Sequence, residues 1–249
     1  MTDRLVLQNI SKTFYTRNLE TLAVDNLSFT IGQGEFVTMI GPSGSGKSTV
    51  FNLITGLLKP DQGEILLDGD LINGRTGLVG YMPQRDLLLP WRTVLDNVLL
   101  GPEIARKPLA APRARARELL PIFGLDTFAD VYPATLSGGM RQRAALLRTF
   151  LAERNVLLLD EPFGALDALT RRDLQAWLLG IWAQFKPTIL FITHDVHEAV
   201  LLGDRVLIFS ARPGKIKQEI SVELPRPRDE SSEAFIRLQT TLLQALDNR

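Results

Sequence analysis

The chain predicts an α/β fold, a parallel-sheet core that carries an inserted helical subdomain. Three observations predict it. Strand-like apolar runs alternate with helix patterns at both ends of the 249 residues. From Trp91 to Ala152 the pattern turns mainly helical, punctuated by Pro102, Pro108, Pro112 and Pro121. A glycine-rich stretch at 41–49 falls between a buried-strand run and a helix pattern, the setting in which such a stretch binds phosphate.

The elements follow in order. "RLVLQNI" and "LSFTI" alternate apolar and polar residues and predict half-exposed strands. "EFVTMI" (35–40) is mostly apolar and predicts a buried strand, and "KSTVFNLITGL" predicts a helix stopped by "KPDQG". "EILLDG" and "GLVGYM" predict further strands, and "NVLLLDE" (155–161) is an apolar run that ends in two acids. A long helix at about 168–185 leads to the strand "TILFIT", the short helix "DVHEAVLLG" and the strand "RVLIFS". "LPRPRDESS" (224–232) has the composition of a charged linker. Beyond it Phe235, Leu238, Leu242 and Leu246 share one helical face, which packs on the domain or on a partner. These divisions give a main domain over 1–223, with the helical subdomain at about 86–153, and an appended segment at 224–249.

Composition excludes several chemistries. Lys+Arg and Asp+Glu each number 28, so the net charge is zero and nothing points to a nucleic-acid surface. Without cysteine there is no disulfide, thiolate metal site or cysteine nucleophile. The N-terminal stretch does not read as a secretory signal, because an acid and an arginine precede only a short apolar run. The longest stretch free of charge, 174–185, falls short of the about 18 apolar residues that a membrane-spanning helix needs. A soluble protein is expected, with any link to a membrane made through a partner.

"GPSGSGKST" (41–49) matches G-x-x-x-x-G-K-[ST] through Gly41, Gly46, Lys47 and Ser48. Across Gly41, Pro42, Ser43, Gly44, Ser45, Gly46, Lys47, Ser48 and Thr49, such a loop turns backbone N–H groups toward phosphate oxygens. The helix start adds its partial positive charge. Lys47 would reach the β- and γ-phosphates, and the Ser48 hydroxyl would ligate Mg²⁺. In "VLLLDEP" Asp160 and Glu161 end a strand, at the edge where open α/β sheets bind ligands. Solvated acids there are common, but beside a phosphate loop Asp160 suits Mg²⁺ and Glu161 suits a general base for water.

Taken together, "GPSGSGKST", "YMPQ", "LSGGMRQR", "VLLLDEP", "GALD" and "ITHD" resemble the ATP-binding subunits of ABC transporters, over about residues 5–220. The resemblance implies a P-loop NTPase (RecA-like) α/β core with an antiparallel β subdomain and an inserted α-helical subdomain, using ATP and Mg²⁺. It implies that Gln84 senses Mg²⁺ and the attacking water and links to the membrane subunit. It makes Ser137, Gly138 and Gly139 the signature loop, Asp167 the acid of the loop at the dimer interface, and His194 the switch histidine at the γ-phosphate. Phe14 stands where this family stacks an aromatic on adenine, and adjacent Tyr15 is the alternative. Read singly, Gln84 is a loop amide, His194 a structural histidine, Phe14 a core residue and Asp167 a helix cap. Met140 replaces the glutamine of the best-known signature, and Arg141 and Arg143 read as a solvated helix face.

A phosphate loop covers one side of ATP only. "SGG" at a second helix start offers N–H groups, a hydroxyl and a dipole end. The resemblance therefore implies a homodimer in which each signature closes over the other copy's ATP. It also implies two integral-membrane permease subunits, an extracytoplasmic solute-binding protein, and a place on the cytoplasmic face of the inner (plasma) membrane. The leucine-rich stretch with Trp91 predicts a groove for a permease helix at 87–91. The alternative, a soluble ABC-type ATPase acting on nucleic acid or ribosomes, usually carries two fused halves or a long inserted arm. Too few positions separate Ser48 from Ser137 for such an arm. "LLLPWRTVLDNVLLG", "PFGALDALTR" and "SARPGKI" resemble the nitrate/sulfonate/taurine importer group.

Overall fold

The computed structural model describes residues 3–16 and 19–247. It divides into two compact units, one of Met1–Val79 with Ile181–Arg249 and one of Gly80–Gly180.

In the first unit, β1 (Asp3–Thr16) and β2 (Leu19–Gly32) pair antiparallel, and β1 also pairs antiparallel with β4 (Gln62–Leu67), which adds β5 (Asp70–Leu71). This is the antiparallel subdomain. Leu5, Leu7, Ile10, Leu27 and Ile31 fill its inner face while alternate residues stay exposed, as a half-buried sheet requires. Between the two pairings of β1 the chain runs into β3 (Phe36–Ile40), buried at every position, and α1 (Lys47–Ile54). β8 (Thr188–Ile192) and β9 (Arg205–Phe209) flank β3 in parallel, and β10 (Ile216–Ser221) closes the edge antiparallel to β9. Continuous runs such as "FVTMI" and "TILFI" suit a parallel sheet covered on both faces. α7 (Val196–Leu202) joins β8 to β9, and α8 (Glu233–Asp247) packs on α7.

The second unit holds the parallel pair β6 (Gly80–Met82) and β7 (Val156–Asp160). Its helices are α2 (Val94–Val98), α3 (Leu100–Ile104), α4 (Ala110–Ile122) and α5 (Gly138–Phe150). α6 (Ala168–Phe185) begins in this unit and ends in the first. Asn97 is fully buried and makes the α2 corner: its amide donates to the carbonyls of Leu89, Arg92 and Thr93, and its Oδ1 accepts from Leu89 N–H. A buried amide is tolerated because every polar atom has a partner. Phe123 packs edge-on against Trp177 of α6, whose indole N–H donates to Ile122 O at 3.1 Å.

One expectation changes, and one strand had no signal. "GLVGYM" enters a strand only at Gly80, and β10 carried no sequence signal because most of its residues face solvent. Most of the charged linker is exposed or half-buried, but within 224–232 Arg228 is only 8% exposed. Its guanidinium donates to Val200 O and Leu201 O, so the positive charge serves as a set of hydrogen-bond donors under a helix end. Of the terminal apolar face, Phe235 and Leu242 are buried and Leu238 and Leu246 half-buried. The face sits on α7, and Phe235 meets the His197 ring edge-on at 5.4 Å. The final residues of the 224–249 segment, 248–249, lie outside the described residues.

Candidate functional site

The phosphate loop leaves β3 at Gly41 and enters α1 at Lys47. Gly46 caps that helix at φ 96°, and a Cβ there would lie 2.7 Å from Ala23 O, so only glycine serves. Lys47 is buried, and its ammonium donates to Gly41 O at 2.8 Å, Pro42 O at 2.9 Å and Ser45 Oγ at 3.1 Å. The lysine thus braces the turn with donors that a phosphate oxygen accepts equally well. Pro42, Ser43, Gly44 and Ser48 are exposed around it, and Thr49 is half-buried on the next turn of α1.

His194 follows β8 and is exposed. Its neighbours fix the turn. Asp195 caps α7, accepting from His197 N–H at 2.8 Å and Glu198 N–H at 3.4 Å. Thr193 Oγ1 accepts from Asp195 N–H and donates to the buried Glu198 carboxylate at 2.6 Å. The sequence reading missed Thr193, Asp195 and Glu198. The signal was there in "THDVHE", with its capping acid and an acid three residues further on. Phe14 and Tyr15 are both exposed on β1, at 37% and 74%. Successive strand residues point to opposite faces, so at most one of them faces a given base.

In the second unit β7 delivers Asp160 and Glu161. Asp160 is buried at the strand end. Burial first, and then the Asp160 charge, push the nearby Tyr81 hydroxyl up to about 12. Glu161 turns the chain out of the strand at φ 44°, a left-handed conformation that a non-glycine residue holds at a cost. Gln84 Nε2 donates to Glu161 Oε2 at 3.3 Å. The structure therefore joins two of the predicted catalytic groups directly: an exposed amide orients the carboxylate proposed as base.

The signature stretch begins α5. Ser137 is its N-cap, and the hydroxyl oxygen accepts from Met140 N–H at 3.2 Å, which leaves the hydroxyl proton free to donate outward. A Cβ on Gly139 would lie 2.8 Å from Thr170 Cγ2, and one on Gly138 3.3 Å from Leu166 Cδ2. The two glycines are thus fitted against the loop that carries Asp167. Asp167 itself accepts from Thr170 N–H at 3.0 Å, the capping geometry its sequence allowed. The Thr170 N–H and then its hydroxyl hold the Asp167 carboxyl below its ordinary value.

Arg141 is not a bystander on a solvated face. It donates to Leu136 O at 2.7 Å and pairs with Asp86 at 3.4 Å. Two turns along α5, Arg148 donates to Leu87 O and Asp86 O. The helix that starts at the signature therefore grips the 86–87 stretch, beside which Leu87 and Trp91 are exposed at 53% and 70%. Arg148 escaped sequence reading because a basic residue on an amphipathic helix does not show which carbonyls it will meet. Arg143 lies 5.2 Å from the Trp177 ring centroid.

Each unit taken by itself offers donors that fit a nucleotide with Mg²⁺. In the first, an exposed serine hydroxyl stands beside a lysine at a helix start, which suits phosphate and a small divalent ion. In the second, a hard carboxylate stands at a strand end, which suits such an ion. Mg²⁺ keeps waters and phosphate oxygens as ligands, so one or two protein oxygens suffice.

Among α/β folds, the P-loop ATPases are the ones that close a glycine turn over a lysine at a helix start, and this chain is an ATPase of that class. It belongs to the ABC transporter family, whose profile matches residues 24–164. Two relatives are each 42% identical. The uncharacterized ABC transporter ATP-binding protein MJ0412 of Methanocaldococcus jannaschii aligns over 98% of this chain and 91% of its own. The aliphatic sulfonates import ATP-binding protein SsuB of Bacillus cereus aligns over 97% and 95%. The solved dimeric cassette MJ0796, described as bacterial, matches with TM-score 0.76 at 33% identity, over 88% of this chain and 99% of that one. No described helix is long and apolar enough to cross a membrane.

Proposed function

We propose that this chain is the ATP-hydrolysing subunit of a bacterial ABC importer for a small solute of the nitrate/sulfonate/taurine type. The observation that carries the reading is the 42% identity to a sulfonate import ATP-binding protein along nearly the whole of both chains. In this reading residues 1–223 are the ATPase domain, with its helical subdomain at about 86–153, and 224–249 are appended to it.

Gly41, Pro42, Ser43, Gly44, Ser45, Gly46, Lys47, Ser48 and Thr49 hold the phosphates of ATP, and Phe14 or Tyr15 stacks on the adenine. Ser48, Gln84 and Asp160 serve Mg²⁺, which neutralises charge on the β- and γ-phosphates when bound. Glu161 takes the proton of the attacking water, held for that task by the Gln84 amide. His194 contacts the γ-phosphate from a turn locked by Thr193 and Asp195. Ser137, Gly138 and Gly139 act in trans on the partner copy's ATP, with Asp167 at the same interface. The related dimeric cassette supports that arrangement.

The exposed Leu87 and Trp91 meet a helix of one of two permease subunits, and the assembly sits on the cytoplasmic face of the membrane with a solute-binding protein opposite. Reconstitution tests this: the chain, co-purified with its permease pair in liposomes, should couple ATP hydrolysis to uptake of an alkanesulfonate presented by the binding protein. Uptake of none of the three solute classes despite full ATPase activity would contradict it.

A further inference from the structure

A short helix presents four orphan carbonyls at its C-terminal end. In α7 these belong to Ala199, Val200, Leu201 and Leu202. Ala199 O accepts within its own turn, from Gly203 N–H at 3.1 Å, and from Thr38 Oγ1 at 3.3 Å. The other three are taken by two arginines of the segment that follows the ATPase domain. Arg228 donates to Val200 O and Leu201 O, and Arg226 to Leu202 O. The same Arg228 guanidinium reaches back to Val222 O and Leu224 O at 3.4 Å, so both partners of the clamp are backbone.

Arg226 is fixed in turn. It pairs with Asp204, whose other oxygen accepts from Phe36 N–H at the start of β3, and its guanidinium lies 4.3 Å from the Trp182 ring centroid. Burial first, and then the Arg226 charge, pull the Arg228 guanidinium down to about 10, which still leaves it charged at neutral pH. A buried cation with no carboxylate of its own is costly unless its donors are used, and helix-end carbonyls are the dipole end that uses them.

The side of the helix is held as well. The His197 ring lies 2.8 Å from Glu230 and edge-on to the fully buried Phe235 of α8. α7 has seven residues, and His194 stands two positions before its first. A helix this short moves as one body, so whatever fixes its far end fixes the turn at its near end.

We propose that Arg228, with Arg226, is a positioning residue for ATP hydrolysis: the 222–230 segment clamps the C-terminal end of α7 and thereby holds His194 in register for the γ-phosphate. This rests on the catalytic reading of His194. The arginines spend their donors on α7, on 222–224 and on Asp204, so ATP affinity should stay while turnover falls.

The test is a double-mutant cycle on the full chain, reading kcat and KM for ATP. Arg228→Lys keeps the charge and loses the fork. It should lower kcat about 10-fold with KM within about 2-fold of wild type, and change kcat less than about 2-fold when added to His194→Ala. Glu230→Gln, which loosens the second hold on α7 at His197, should show the same dependence on His194 with a smaller loss, and it serves if Arg228 variants fail to fold. A fall in kcat that multiplies with that of His194→Ala, or a change confined to KM, overturns the clamp alone. A His194→Ala chain with wild-type kcat overturns the role of His194 and the clamp with it.

Discussion

The phosphate loop and the signature loop look alike in sequence, each a serine and glycine stretch that opens a helix, yet they are built differently. The phosphate loop is complete in itself. A left-handed glycine opens its helix, and a buried lysine supplies full charge as it braces Gly41 O, Pro42 O and Ser45 Oγ. The signature has no lysine and no left-handed residue. It offers a helix start, a serine hydroxyl and two glycines pressed against Leu166 and Thr170. A dipole end alone contributes about 0.3–1 kcal/mol toward an anion, well short of what a lysine at close range adds. A loop with so little charge of its own suits the proposed role of finishing a site begun elsewhere.

Removing the charge should break this contrast most strongly. Lys47→Ala deletes both the ammonium and the brace on Gly41 and Pro42, and should cost about 100-fold or more in turnover with loss of nucleotide binding. Equilibrium binding of a fluorescent ATP analogue checks the second part. Next comes the proposed base. Glu161→Gln keeps the hydrogen-bonding shape beside Gln84 and removes the proton acceptor, so hydrolysis should stop while binding persists. Size-exclusion chromatography with ATP should then show a stable dimer that wild type does not accumulate.

A smaller effect sharpens the packing side. Gly139→Ala sets a methyl against Thr170 Cγ2 and should cost about 1–3 kcal/mol of stability. Thr170→Ser, which removes that carbon, should restore most of it, as thermal melts would show. The smallest effect is on Asp167. Its folded carboxyl lies below the ordinary 3.8, so its capping contribution is in force above the unfolded value and fades as pH falls through the folded one. The melting temperatures of wild type and Asp167→Asn should therefore differ slightly at neutral pH and converge in acid.

Much of this could be read in the sequence, for local reasons. Buried parallel strands are runs of apolar residues, and β3, β7 and β8 appear where "FVTMI", "VLLLD" and "TILFI" stand. The glycine-lysine turn is a local geometry that few other residues can make, so Gly46 and Lys47 announced themselves. What escaped depends on partners distant in sequence. Arg148 drew no reading and Arg228 stood only as part of a charged linker, yet their donors end on the carbonyls of Asp86, Leu87, Val200 and Leu201. An arginine names no partner until the fold brings one. β10 escaped for the opposite reason, since an edge strand with most residues in water carries no alternation.

In the proposed function, one ATP needs the phosphate loop of one copy and the signature of another. Two inactive variants test it most directly: Lys47→Ala, with an intact signature, and Ser137→Arg, with an intact phosphate loop. In a mixed dimer one site carries both defects and the other carries none. Each variant alone should be inactive, and mixing them should restore ATP hydrolysis. Full inactivity of the mixture, with mixed dimers present, would contradict it.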